Sequence, residues 1–261
     1  TGENHGYNLA IGWPGQWSAS FEATGSGVQI KAGQELFRAR LLPGETARSP
    51  RITVTAFEGD VERGINTWRH FYLAHILPRV NGEPLKPRNF VSNHSNGVEF
   101  TGADEQNQLS GIETFISRGF KPDTWWIDAG WYPCKLPDGT VDWHVTGDWT
   151  PDPERFPRGL KPIGELCKKY GIDFLLWFEP ERVWIGDDPL LPGEYVLHIK
   201  PFPEKERDAK NGLLWLGSDD AREWLTNHVD AMIKENNIKI YRQDFNIDPL
   251  KYWRTNDEED R

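Results

Sequence analysis

A chain of 261 residues with 37% hydrophobic and 13% aromatic content can fill one large domain or two smaller ones with a packed core. Its formal charge of −10 argues against a nucleic-acid backbone as partner, because counterion release needs clustered Lys and Arg, and a neutral substrate fits better. No run of eighteen apolar residues occurs, and the opening TGENHGYNLA lacks the basic start and apolar stretch of a signal peptide, so no membrane partner is expected. Position 1 is Thr rather than Met, which reads as a processed or partial piece whose parent can be cytoplasmic or secreted. Cys134 and Cys167 cannot make a disulfide framework and have no metal-ligand spacing with histidines. Thirteen tryptophans are unusual, and indole faces serve both core packing and stacking on sugar rings.

In chain order, residues 1 to about 58 are rich in Gly, Ser and Thr with short alternating runs, Trp17 to Ala23 and Gly27 to Ala32, which predict antiparallel strands. Leu41 to Glu45 reads as a turn before a final strand over Arg51 to Phe57. From Val61 to Leu77, Ile65, Trp68, Phe71, Tyr72 and Ile76 recur at helical spacing, and Pro78 closes the run, giving a helix that links two domains. After Pro78 to Pro87 the pattern becomes strands alternating with helices, the mark of parallel α/β architecture. The expected strands are Phe90 to Asn93, Thr124 to Asp128, Asp173 to Phe178 and Ile238 to Phe245. The expected helices are Asp104 to Arg118, Leu160 to Tyr170 and Asp219 to Glu235, the last with Trp224, Val229 and Ile233 inward.

Three of the four strands end in carboxylates: Asp128, Glu179 and Asp244. In a (β/α)8 barrel the catalytic groups sit at the C-terminal strand ends, where side chains converge on one mouth. A single such Asp reads equally as a helix cap or turn residue. Three in register, each beside an aromatic, read as an active site.

These residues resemble glycoside hydrolase family 36 of clan D, whose best-known members are α-galactosidases. Leu42-Pro43-Gly44-Glu45 and the helix ending His70-Phe71-Tyr72, then Leu77-Pro78-Arg79, resemble the exit from that family's N-terminal β-supersandwich. Trp126-Ile127-Asp128-Ala129-Gly130-Trp131 resembles a strand motif usually reading Asp-Asp-Gly-Trp. Gly147-Asp148-Trp149 and Phe156 to Leu160 resemble the following loop and helix, Leu176 to Glu181 a third-strand signature, and Tyr241 to Asn246 the nucleophile strand Lys-Trp-Asp-Met-Asn. The resemblance implies an α/β fold with a (β/α)8 TIM-barrel catalytic domain, of which about the first four strands are present. Residues 1–60 would be the C-terminal part of a β-sandwich domain, 61–87 a linking helix and linker, and 88–261 the first half of the barrel.

The implied activity is double displacement on a terminal α-linked, galacto-configured sugar of an oligosaccharide or glycoconjugate, with Asp244 as nucleophile. Asp128 would grip the sugar's outer hydroxyls, Arg242 would meet its hydroxyls, Asn246 would bond the 2-hydroxyl or its neighbour, Trp177 would line the subsite or pack the core, and His94 would line the pocket. Arg242, two residues before Asp244 on the same strand face, favours the ionised carboxylate, and it stands where the family has Lys. Ala129 replaces the family's second Asp, which removes one carboxylate from sugar recognition. A sugar transferase of the raffinose-synthase type and an inactive carbohydrate-binding relative are the alternatives. The loop Tyr132 to Asp152, with Trp143, His144 and Trp149, reads either as an acceptor subsite over the mouth or as a loop pinned to the rim by its tryptophans. The family's acid/base Asp lies on a later strand, so the rest of the barrel is expected from further C-terminal sequence or a second chain, leaving this piece inactive alone. A homo-oligomer is compatible with all of this, and no metal or organic cofactor is implied, since the chemistry needs only carboxylates and water.

Overall fold

Four parallel strands organise the larger part of the chain in a computed structural model that describes residues 4–35, 37–92, 100–136, 138–147, 149–184, 191–201 and 210–258. Two compact units are distinguished, one made of residues 1–87 with 258–261 and the other Arg88–Asp257.

In the first unit, β1 (His5–Gly12) pairs antiparallel with β4 (Arg51–Glu58), and β2 (Trp17–Thr24) pairs with β3 (Gly27–Gln34) in a hairpin that brings Thr24 opposite Gly27. The alternating runs therefore form the expected strands. The turn at Leu42 to Glu45 closes with the Glu45 backbone N–H donating to the Leu42 carbonyl at 3.0 Å. Helix α1 (Val61–His75) starts at Asp60, whose side chain accepts from the Arg63 backbone N–H. It packs with this unit, where the Phe57 ring lies against Gly64 and Asn8 donates to the Gly64 carbonyl at 2.9 Å. A two-residue ribbon, β5 (Arg79–Val80) with β6 (Glu83–Pro84), follows.

The second unit is built on β7 (Phe90–Ser92), β8 (Thr124–Ile127), β9 (Asp173–Phe178) and β13 (Ile238–Gln243), all parallel and ordered β13-β9-β8-β7. Sequence order is thus spatial order, as successive βα units require. Between the strands run α2 (Glu105–Ser117), α3 (Lys161–Tyr170) and α4 (Asp219–Glu235), and α5 (Leu250–Asn256) follows β13. Helix α2 opens on a capping box between Asp104 and Asn107, and α3 stops at Gly171, whose φ of 63° suits the residue that ends a helix. Helix α3 lies so close to the α4–β13 turn that a Cβ on Gly164 would fall 1.8 Å from the Asn236 carbonyl oxygen.

Two strand ends differ from expectation: β8 closes at Ile127 and β13 at Gln243, so Asp128 and Asp244 stand just beyond their strands. A carboxylate that accepts from the next backbone N–H turns the chain out of the ladder, and both do so. Asn93 and His94 lie outside the described residues. A three-stranded antiparallel sheet ordered β10 (Arg182–Trp184), β12 (Asn211–Leu214) and β11 (Val196–Leu197) was not anticipated, because two to four residues are too few for alternation to register.

The core is aromatic: Trp125, Trp131, Trp149, Trp177, Tyr132, Phe156, Phe174 and Phe178 are among its fully buried side chains. Trp125 faces α2, where its indole N–H donates to Gln108 at 3.0 Å and its ring meets Phe115. Alternation then turns Trp126 and Asp128 to the opposite face of the sheet.

Candidate functional site

The register of β9 and β13 sets Arg242 opposite Trp177. One step beyond the paired residues, the Asp244 backbone N–H donates to the Phe178 carbonyl at 2.8 Å, so Asp244 leaves the sheet in fixed orientation. Its Oδ2 accepts from the Trp177 indole N–H at 3.0 Å and its Oδ1 from the Phe245 backbone N–H at 2.8 Å. Arg242 Nη2 stands 3.5 Å from the same Oδ2, and Arg242 Nη1 stands 3.8 Å from Asp128 Oδ1. Because β9 lies between β8 and β13, the arginine reaches across one strand to join carboxylates from its two neighbours. The guanidinium sits over the Trp126 ring at 4.6 Å from its centroid.

The Asp244 carboxyl is held below the ordinary carboxylate range, first by the Trp177 hydrogen bond, then by the Phe245 backbone, the Asn246 side chain and the Arg242 charge, with partial burial opposing. It is therefore ionised near neutral pH, and with its side chain 31% exposed it remains open to an approaching electrophile. Asp128 accepts from the Ala129 backbone N–H at 2.8 Å, while the Ala129 methyl itself is buried. Gly130 follows with φ of 89°, and a Cβ there would lie 2.7 Å from the Phe100 carbonyl carbon, so only glycine lets the chain turn against residues 100 and 101.

Asp128, Trp177, Arg242, Asp244 and Asn246 are thus drawn together, while His94 falls outside the described residues, as does Asp148 of the loop motif. Trp177 enters edge-on. At 1% exposure its ring is enclosed by Trp143 and Trp149, and what it presents to the site is the N–H donated to Asp244. Asn246 lies in the turn after β13 rather than on the strand.

Sequence reasoning did not single out Arg182. Glu179, fully buried, receives Arg182 Nε at 2.8 Å and Nη2 at 3.1 Å. The same pair grips the Asn246 peptide from both sides: the Asn246 N–H donates to Glu179 Oε1, and Arg182 Nη2 donates to the Asn246 carbonyl at 2.8 Å. A buried charge pair with its remaining capacity spent on one backbone segment fixes the turn that carries Asp244. The signal that could have found it is the i,i+3 spacing of Glu179 and Arg182.

In the loop after β8, Tyr132 donates to the Trp143 carbonyl at 2.7 Å, Trp149 is buried with φ of 60°, and the Trp143 ring stacks on His144 at 3.8 Å. His144 Nδ1 lies 2.7 Å from Asp142. Burial raises the thiols of Cys134 and Cys167, the latter to about 12, which leaves both unreactive. Among the described residues no group of three or more His, Cys, Asp or Glu side chains could hold a metal ion, and no helix is long and apolar enough to cross a membrane.

Known proteins share this architecture. The structure of a variant of the GH36 α-galactosidase AgaA from Geobacillus stearothermophilus, in complex with raffinose, superposes with a TM-score of 0.75 at 17% identity over 96% of this chain and 36% of that one. The α-galactosidase from Lactobacillus brevis does so with a TM-score of 0.71 at 19% identity over 91% and 31%. These likenesses show the fold, and the four parallel strands match part of the TIM barrel of those structures. Among curated proteins, α-galactosidase C of Emericella nidulans is 28% identical over 94% of this chain and 33% of its own length, and an Escherichia coli α-galactosidase is 25% identical over 66% and 23%. The chain spans about a third or less of the length of the curated relatives it matches. The Melibiase family model matches residues 89–259, the whole stretch that carries the Asp128–Arg242–Asp244 site, and the chain belongs to that family.

Proposed function

We propose that this chain is part of a retaining glycoside hydrolase that removes terminal α-linked, galacto-configured sugars from oligosaccharides or glycoconjugates. In this reading residues 1–60 end an N-terminal β-supersandwich, 61–87 link it to the catalytic domain, and 88–261 form the first half of the (β/α)8 barrel. The observation that carries the reading is Asp244: a carboxylate whose ionised form is favoured by the Trp177 indole, partly open at the end of a parallel strand. Family membership and the α-galactosidase relatives support the substrate class.

The chemistry follows from that carboxylate. Asp244 attacks the anomeric carbon as the bond to the leaving oxygen breaks, forming a glycosyl ester while a second carboxyl group protonates the departing alcohol. That group then takes a proton from water, which displaces Asp244 and restores the starting configuration. Retention requires the two carboxyls about 5 Å apart, and we assign the proton donor to a later barrel strand outside this chain. Asp128 offers an acceptor to the sugar's outer hydroxyls, Arg242 offers donors to sugar hydroxyls, and the Asn246 amide meets the 2-hydroxyl or its neighbour. Trp177 acts through Asp244 rather than as a sugar platform, since its ring is enclosed.

The test is Asp244→Asn in the full-length protein that contains this chain, assayed with p-nitrophenyl α-galactoside. Loss of about a thousandfold or more in turnover is expected, because an amide cannot form the ester. Retained turnover would refute the assignment. Binding of galactose with no turnover by the unaltered protein would indicate an inactive relative, and transfer to added sugar in place of hydrolysis would indicate a transferase.

A further inference from the structure

Neither carboxylate holds Arg242 by a hydrogen bond. The distances of 3.5 and 3.8 Å to Asp244 and Asp128 are those of attraction without direction. Among the described residues Arg242 makes no side-chain hydrogen bond, and the contact able to orient its plane is the Trp126 ring, 4.6 Å beneath the guanidinium carbon. Trp126 contributes its face alone: its indole nitrogen is buried without a partner among the described residues, a cost that a smaller apolar residue at this site would avoid. Between Trp125 and Ile127, both packed on the other face of β8, it is the half-buried member of the strand.

We propose that Trp126 is a positioning residue, the platform that orients Arg242 between Asp128 and Asp244, so that the guanidinium meets sugar hydroxyls in one fixed orientation. The inference rests on the reading of this site as the glycosidase centre and adds a residue to it. Arginine suits the arrangement because a planar, weakly hydrated cation stacks on indole, whereas an ammonium on a flexible stem takes no defined plane. Trp126 touches no reacting atom; its effect passes through Arg242.

A double-mutant cycle in the full-length protein tests this, with kcat and KM on an aryl α-galactoside for Trp126→Leu, Trp126→Phe, Arg242→Met and the Leu/Met pair. Trp126→Leu is expected to lower kcat/KM about tenfold, the scale of a partly desolvated cation–π contact, and Trp126→Phe to restore most of it. In the Arg242→Met background Trp126→Leu should cost nothing further. A cost of the same factor with and without Arg242 overturns the proposal, as does unchanged kcat/KM in Trp126→Leu. Should Trp126→Leu fail to fold, the cycle is run with Trp126→Phe, where about a threefold loss that vanishes without Arg242 is expected and an additive or absent loss overturns it. Asp244→Asn is measured alongside: if it stays active the glycosidase reading falls, and if it is inactive while the cycle is additive only the role of Trp126 falls.

Discussion

Replacing Trp177 by Phe removes one hydrogen bond from the centre of the site and little else. The side chain is 1% exposed among Trp143 and Trp149, so a second aromatic ring fills most of its volume, and the Trp177 carbonyl still accepts from Trp131 at 2.8 Å. What disappears is the N–H donated to Asp244 at 3.0 Å, the largest influence holding that carboxyl below its ordinary range. A hydrogen bond to a charged acceptor is worth about 1.5–3 kcal/mol, and because the Asp244 side chain is 31% exposed, solvent replaces part of it, which points to the lower end. With about 1.4 kcal/mol per pH unit, the expected displacement is about one pH unit. The direction is fixed: the donor favours the ionised form, so its loss raises the pH at which Asp244 gains a proton. The nucleophile must be ionised, so the acid limb of kcat/KM moves up by that amount, with activity above the limb within several-fold of the parent. The assay is a pH profile of kcat/KM for the full-length protein and Trp177→Phe. An acid limb that stays in place, or moves down, refutes the claim that the indole lowers the pH at which Asp244 gains a proton.

Arg182→Met strands the fully buried Glu179 without a counter-charge and is expected to cost about 3–5 kcal/mol in chemical denaturation, whereas Glu179→Met/Arg182→Met regains most of that stability yet keeps a low kcat/KM because the Asn246 peptide is released. A loss below about 1 kcal/mol in the single variant would refute the clamp. Gly164→Ala places a methyl 1.8 Å from the Asn236 carbonyl oxygen and should lower the denaturation midpoint by the equivalent of about 3 kcal/mol or more, an unchanged midpoint showing that α3 does not approach the α4–β13 turn so closely. Gly130→Ala combines a φ of 89° with backbone at 2.7 Å, so it should shift Asp128 two residues away and raise KM several-fold on an aryl α-galactoside, an unaltered KM showing that the turn does not set the position of Asp128.

The long-range plan of the second unit was readable because β8 and β9 are apolar on both faces and its helices carry strong local signals, such as the capping box at Asp104–Asn107 and the glycine that ends α3. Their order in the sheet follows from sequence order. The short sheet of β10, β11 and β12 was not readable, since its strands are set by pairing with one another rather than by any periodicity of their own. Strand ends were misjudged by one or two residues where an aspartate bonds the next backbone N–H, a local choice that competes with the ladder and leaves no trace in hydropathy.

The site residues were legible for a different reason. A strand face can be counted in steps of two, so Arg242 and Asp244 could be assigned to one side from the sequence alone. Counting along one strand says nothing about reach across the next. The contact of Arg242 with Asp128 and Trp126 depends on the register of β9 with both neighbours, which sets Trp177 beside Arg242 and Leu175 beside Trp126. A one-residue slip of β13 would turn Arg242 to the far face and present Tyr241 or Gln243 instead. The Asp244 backbone bond to Phe178 and the Glu179–Arg182 grip on Asn246 both resist that slip from the end where the carboxylate stands. The buried ion pair and the exposed site are therefore one mechanical unit: the first holds the register that the second needs.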